Sequence, residues 1–216
     1  MDQILVEPFY RNGRLVGALI KNLLNDFACC TIYDYFVENN KLLLEVFDNG
    51  KVPDNLKLNG GETSSIYSHK LFVSLQNNLI PVVENIVGAE VLPTYNYARK
   101  YTKGVELLCH RDRPHCEITV SLSVLYSGTE KEYLYISPHP KDKSSDDDII
   151  GFDLAPGQAV LFFGTANENT NNTEGFYHWR DPVKNDFIFQ SFLHYVYKDG
   201  CHKDLAFEYL ERGAND

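Results

Sequence analysis

No run of apolar residues in this chain approaches the length of a membrane span, and the opening Met1-Asp2-Gln3 lacks the basic start and apolar centre of a secretory leader. An intracellular, cytoplasmic protein with no membrane partner is therefore expected. Basic charge is also short. Twenty Lys and Arg stand against 30 Asp and Glu, a net charge of −10, so the basic patch that a nucleic-acid partner requires is not expected. Five cysteines form an odd set with no Cys-x-x-Cys spacing, which argues against a disulfide framework or a cysteine zinc site and predicts free thiols. Cys29-Cys30 reads as a buried pair near a helix end, and Cys109 and Cys116 as packed side chains. Neither a Gly-x-Ser-x-Gly elbow nor a Gly-x-x-x-x-Gly-Lys-[Ser/Thr] loop is present, which removes two large classes of hydrolase. No internal repeat or linker divides the chain, so 1–216 is read as one domain, long enough to bury about 70% of its unfolded surface.

Two textures run along the chain. Over 1–89 the apolar spacing reads as a helical supporting segment. Leu15, Val16, Leu19, Ile20, Leu23, Leu24 and Phe27 recur at helix spacing after an extended start at Ile4-Leu5-Val6. A second helical pattern runs from about Ser65 to Val87 through Leu71, Phe72, Leu75, Leu79, Val82, Val83 and Ile86, with Pro81 predicting a kink or two consecutive helices. Between them lie strand-like runs at 31–33 and 42–47 and turn clusters at 48–50 and 59–61. From 90 to 198 the chain becomes a series of short strand-like segments rich in Val, Ile, Leu, Tyr and Phe: 94–101, 105–109, 117–126, 133–136, 149–154, 159–163, 176–180 and 186–197. Many short strands punctuated by turns predict a sandwich or jelly roll, giving a mainly β, α+β protein with a helical flank. The charged tract 141–148 reads as an exposed loop, and 199–216 as a tail or short helix.

The chemistry concentrates at Leu107-Leu108-Cys109-His110-Arg111-Asp112-Arg113-Pro114 and at Phe176-Tyr177-His178-Trp179-Arg180. Two imidazoles and one carboxylate are the ligand set of a facial iron site, which leaves the other coordination positions open. His-x-Asp places two side chains on the same side of an extended chain, so His110 and Asp112 can reach one ion. A jelly roll brings strand ends to one mouth, so His178, 68 residues on (178 − 110), can complete the set. Alone, His-x-Asp occurs by chance in many chains of this length; the flanking residues carry the rest.

The order Tyr97…Tyr101…Gly104…His110-Arg111-Asp112, then Pro156-Gly157, then His178…Pro182-Val183 resembles the Fe(II)/2-oxoglutarate-dependent oxygenases, and within them the prolyl 4-hydroxylase-like branch. The resemblance spans roughly residues 90–198. It implies a double-stranded β-helix (a cupin-like jelly roll) and iron held by His110, Asp112 and His178. It also implies hydroxylation of a C–H bond coupled to conversion of 2-oxoglutarate and dioxygen to succinate and CO2, with ascorbate as an accessory cofactor. Prolyl residues of a peptide or protein are the implied substrates, with a free amino acid or other small molecule as an alternative. A cupin-like module that binds metal or ligand without turnover is the competing reading.

One departure stands out. The branch places Arg or Lys about ten residues after the second histidine to clamp the far carboxylate of 2-oxoglutarate, and here that residue is Ile188. With even positions of that strand facing inward, Gln190 and His194 are the polar candidates, joined by Tyr101 and by Arg180, which shares a face with His178. Arg99 and Lys184 are more distant options. Arg113 and Glu117 are read as facing substrate at the mouth, with a surface salt bridge between them an equally good reading, and Trp179 as core or pocket wall.

Overall fold

The structure is a computed structural model that describes residues 3–39, 41–44, 52–165 and 175–211. The turn cluster 48–50 and the run 45–47 lie outside the described residues.

The first departure from the sequence reading is at the N-terminus. Strands β1 (Leu5–Arg11) and β2 (Arg14–Lys21) form an antiparallel hairpin where a helix is expected over 15–27. The turn is Asn12-Gly13, both with positive φ (50° and 75°), the geometry that matches the right-handed twist of the flanking strands. Leu15, Val16, Leu19 and Ile20 fit a helical stripe as well as a strand. Pairing decides the outcome, because β2 also docks on β11 (Ala159–Phe162), and Gly17 lets it approach: a Cβ there would lie 2.4 Å from the Leu161 carbonyl oxygen.

Helix α1 (Asp26–Tyr33) follows, capped by Asn25, whose side-chain oxygen accepts from the Ala28 amide at 2.9 Å. It takes up the run 31–33 that reads as a strand, and it buries Cys29 while leaving Cys30 exposed, so the cysteines are not a buried pair. Short strands β3 (Leu43–Leu44), β4 (Leu56–Lys57) and β5 (Thr63–Tyr67) lead to α2 (Lys70–Val87). This helix starts later than the pattern suggests, since Ser65 belongs to β5, and it is one helix through Pro81 rather than two. Its buried face, Phe72, Leu79 and Val83, packs on the sheet, and Gly88 ends it in the left-handed conformation.

The remaining strands are β6 (Val91–Thr102), β7 (Glu106–His110), β8 (Ile118–Tyr126), β9 (Tyr133–Ser137), β10 (Ile150–Asp153), β11, β12 (Tyr177–Arg180) and β13 (Phe187–Tyr197). They match the eight segments expected. A larger sheet has the order β1-β2-β11-β8-β13-β6-β5-β3, and a smaller one β10-β9-β12-β7-β4. This is the expected double-stranded β-helix with a helical flank. The chain ends in α3 (Glu208–Glu211). Among the described residues no helix is long and apolar enough to cross a membrane.

Two apolar layers follow from strand alternation. Ile118, Val120, Leu122 and Val124 of β8, with Phe189 and Leu193 of β13, face the helices Phe36, Phe72 and Val83 belong to or adjoin. Val160, Phe162, Ile188, Phe192, Leu134 and Leu107 fill the space between the sheets. The opposite faces of β8 and β13 thus deliver Thr119, Gln190 and His194 to the barrel interior, each almost fully buried.

Candidate metal centre

His110 closes β7 and His178 sits in β12, and the two are direct antiparallel partners. That pairing is why residues far apart in sequence meet: facing side chains on adjacent strands are about 5 Å apart at Cβ. Their ring centroids are 4.2 Å apart. Beyond His110 the chain leaves β7, Arg113 is extended before a 3-10 turn at Pro114–Cys116, and the Asp112 amide donates to the Gly164 carbonyl at 2.9 Å. This bond turns the Asp112 carboxylate toward the histidines. Asp112 Oδ1 lies 3.7 Å from His110 Nε2 and 3.5 Å from His178 Nε2. His110, Asp112 and His178 offer three ligand atoms all within 4.8 Å of one another. A cation with bonds of about 2.1 Å holds neighbouring donors roughly 3 Å apart, so a shift of up to about 0.9 Å per side chain would seat one.

The donor chemistry fits. His110 Nδ1 lies 2.7 Å from the Leu108 carbonyl, which fixes the proton on Nδ1 and leaves the Nε2 lone pair available. The Asn55 side-chain amide donates to that lone pair at 3.2 Å. Asp112 Oδ2 accepts from the Thr119 hydroxyl at 3.1 Å, and Thr119 Oγ1 lies 3.1 Å from His194 Nδ1. Burial alone would raise the Asp112 pKa, but His178, His194, His110 and the Thr119 bond outweigh it and hold the carboxyl below its usual range. Burial drives His178 down to about 4 against the opposing pull of Asp112, and His194 likewise to about 4. At neutral pH Asp112 is therefore a carboxylate and His178 and His194 are neutral imidazoles, the protonation state a divalent ion requires of its ligands.

The cavity beside the triad is small, about 20 Å³, and is walled by Tyr97, Tyr101, Leu107, Leu134, Phe162 and Phe192. Beyond Tyr101 of that wall, Arg180 of β12 donates through Nη2 to Gln190 Oε1 on β13 and lies with Cζ 5.1 Å from the centre of the Tyr101 ring. Arg180 Nε and Nη1, Tyr101 Oη and His194 Nε2 are buried without a well-formed hydrogen-bond partner. Burial lowers the Arg180 pKa, with the neighbouring Tyr101 and Glu132 acting against it. A buried cation with unfilled N–H groups is expensive unless an anion meets it. The structure thus brings Tyr101, Arg180, Gln190 and His194 to the same interior as His110, Asp112 and His178. Ile188 is 3% exposed, pairs with Tyr101 and packs in the apolar layer.

Three of the residues read as substrate-facing fare differently. Arg113 does stand at the mouth, where its guanidinium lies 4.3 Å from the Tyr95 ring centre and pairs with Glu208 at 2.8 Å. Glu117 does not. Its carboxylate is buried and accepts from the Tyr197 amide at 2.8 Å, with His202 Nδ1 at 2.9 Å, a role in tying down the C-terminal turn. Trp179 also faces away, because neighbours along a strand point to opposite sides; its ring stacks on Tyr135 at 5.6 Å on the outer face.

Thr119, Asn55 and Gly164 escaped the sequence reading. Thr119 had one signal, its place among the polar residues alternating with Ile118 and Val120 in β8. Gly164 is required by proximity: a Cβ there would lie 2.4 Å from Asp112 Oδ2. Gln76 of α2 supports the site from behind. The bulge in β13 between Leu193 and Tyr195 interrupts its pairing with β6, and Gln76 Nε2 donates to the carbonyls of Tyr95 at 3.1 Å and His194 at 2.6 Å.

The architecture has counterparts among solved structures. The non-heme alpha-ketoglutarate dependent carbocyclase SnoK from nogalamycin biosynthesis matches with a TM-score of 0.60 at 10% identity, over 91% of this chain and 86% of its own. HygX from Streptomyces hygroscopicus, with nickel and 2-oxoglutarate bound, matches at 0.57 and 10% identity, over 85% of this chain and 83% of its own. A Pseudomonas putida prolyl-4-hydroxylase matches at 0.56 and 8% identity, over 84% and 92%. No protein-family model and no curated protein matches the chain. At these identities the likeness is one of fold: this chain has the double-stranded β-helix found in Fe(II)/2-oxoglutarate oxygenases, prolyl hydroxylases among them.

Proposed function

We propose that the protein is a non-haem Fe(II)- and 2-oxoglutarate-dependent dioxygenase that hydroxylates a C–H bond, a prolyl residue of a peptide or protein being the preferred substrate. The net reaction converts substrate, 2-oxoglutarate and O2 to hydroxylated product, succinate and CO2. The observation that carries this reading is a His110–Asp112–His178 donor set meeting at one cavity, with the buried Arg180 guanidinium lying against Tyr101 of that cavity's wall. Bound iron supplies the activation of dioxygen, which no side chain of the chain can perform.

The chain's own residues do the remaining work. His110, Asp112 and His178 would hold the ion. Arg180, oriented by Gln190, takes the far carboxylate of 2-oxoglutarate with Tyr101 donating beside it, so a cation from β12 replaces the one that Ile188 of β13 cannot provide. Such charge-assisted bonds are about twice as strong as neutral ones, and the fork geometry fixes the acid's direction. Phe162, Phe192 and Leu134 exclude water from the reacting centre. The prolyl assignment rests on the sequence resemblance and on the shared fold, which also serves a carbocyclase; substrate choice resides in the mouth. Succinate release from 2-oxoglutarate, measured with Fe(II) and a panel of proline-containing peptides, tests both levels. Peptide-stimulated turnover supports the prolyl reading, and turnover with no peptide stimulation leaves only the reaction class.

A further inference from the structure

A wide depression opens outside the triad, and His110 and Asp112 line both it and the inner cavity. Two features of its wall are unusual for this chain. The first is charge. The sequence has only seven arginines against a net charge of −10, yet Arg99, Arg111 and Arg113 all line this depression, with Asp54 and Asp112 the acids among its lining residues. The second is a set of parallel tyrosine rings. Tyr67 and Tyr97 stack at 5.1 Å and 21°, and Tyr95 lies 6.2 Å from Tyr97 at 10°.

The arginines lie against aromatic faces: Arg113 Cζ is 4.3 Å from the Tyr95 ring centre, Arg111 Cζ is 4.8 Å from that of Tyr177, and Arg99 Cζ is 5.0 Å from that of Tyr97. Stacking uses the flat face of a guanidinium and directs its N–H groups along the edge, and at Arg113 part of that edge already donates to Glu208 and the Tyr95 hydroxyl. Arg113 keeps 40% of its side chain exposed while paired to Glu208, a contact that fixes its direction. A protein of this net charge repels anions at long range, so a site for one needs a local cationic cluster. Tyrosine rings beside that cluster suit a planar or apolar body.

We propose that this depression recognises a substrate bearing a carboxylate or phosphate group on a planar or apolar body, with Arg111 and Arg113 holding the anion and the Tyr67–Tyr97 pair the body. This rests on the oxygenase reading, which it deepens by naming a substrate class. An acidic peptide and a small phosphate monoester share this chemistry, and two arms of the test separate them.

The test is calorimetric titration of the Mn(II)- and 2-oxoglutarate-loaded protein with a Glu/Pro peptide, its Lys/Pro counterpart and adenosine 5′-monophosphate. Expected is at least tenfold tighter binding of the acidic peptide or the monophosphate than of the lysine peptide, weakening as salt rises. Whichever anion binds identifies the source. Arg111→Gln with Arg113→Gln should lower that affinity at least tenfold, and exposed Arg111→Gln alone should lower it severalfold, while Mn(II) affinity stays within twofold. Equal binding of acidic and lysine peptides without monophosphate binding overturns the proposal, as does unchanged anion affinity in both variants. Mn(II) and 2-oxoglutarate binding are read separately in the same preparation, so a failure of the oxygenase reading is distinguished from a failure of anion recognition.

Discussion

Arg180 and Gln190 join the two sheets inside the barrel: the Arg180 guanidinium, rooted in β12, donates to the Gln190 side-chain oxygen on β13. Ile188, one inward position before Gln190, packs in the apolar layer beside Tyr101. The buried cation beside Tyr101 therefore comes from β12, in the opposite sheet.

If this guanidinium holds the far carboxylate of 2-oxoglutarate, Arg180→Met should raise the cosubstrate KM by 10- to 100-fold, corresponding to about 1.5–3 kcal/mol for charged hydrogen bonds. Mn(II) affinity should change less than twofold. Arg180→Lys keeps charge and loses the fork, and should fall between. Cosubstrate affinity unchanged in both variants would move the clamp to Arg99.

The triad predicts that divalent metal stabilises the fold. With Mn(II) at 100 times its Kd, stability should rise by about 2.7 kcal/mol, seen as a higher Tm. In His178→Ala the metal-dependent rise should vanish while the metal-free Tm stays near that of the parent, or falls only by the cost of the small cavity. A full metal response in the variant would remove His178 from the ligand set.

The second layer around Asp112 should matter nearly as much as the ligands. Gly164→Ala places a methyl 2.4 Å from Asp112 Oδ2 and 2.8 Å from the Cys116 carbonyl oxygen, so the carboxylate must turn. Thr119→Val removes the hydrogen bond to the same oxygen at nearly constant volume. Each should cost roughly 10- to 100-fold in metal affinity, as losses of such supporting contacts do. Parental Mn(II) titration curves in both would show that Asp112 needs neither.

Acid should destabilise the metal-free protein. His178 and His194 are held neutral by burial, with folded pKa values of about 4 against an ordinary 6.5. The unfolded chain binds these protons first, so their contribution is fully present above pH 6.5 and is lost as pH falls from 6.5 toward 4. At about 1.4 kcal/mol per pKa unit, each histidine accounts for up to roughly 3 kcal/mol. Denaturant melts of chelator-treated protein at pH 7, 5.5 and 4.5 should show this fall, with a weaker slope in His194→Phe. Flat stability across that window would contradict the buried, neutral assignment.

Much of this was legible from residue order, for identifiable reasons. The eight barrel strands declare themselves because their alternation is strict, as in Ile118-Thr119-Val120-Ser121, and glycine or proline marks their turns. Arg180 follows from parity with His178. The hairpin was hidden because Leu15, Val16, Leu19 and Ile20 satisfy two periods at once; only Asn12-Gly13 favoured the strand, and a partner strand far along the chain decided it. Glu117 and Trp179 sit next to site residues in sequence, yet strand parity and the turn at Pro114–Cys116 aim them elsewhere. Asn55 had no signal, since its approach to His110 depends on the pairing of two-residue β4 with β7.

The most direct test of the proposed chemistry is succinate formation from 2-oxoglutarate by the protein reconstituted with Fe(II) in air, beside a folded His178→Ala variant. The expected result is Fe(II)-dependent succinate release that chelator abolishes and the variant lacks. Stoichiometric Fe(II) binding with no succinate under any peptide condition, or equal release by the variant, would contradict it.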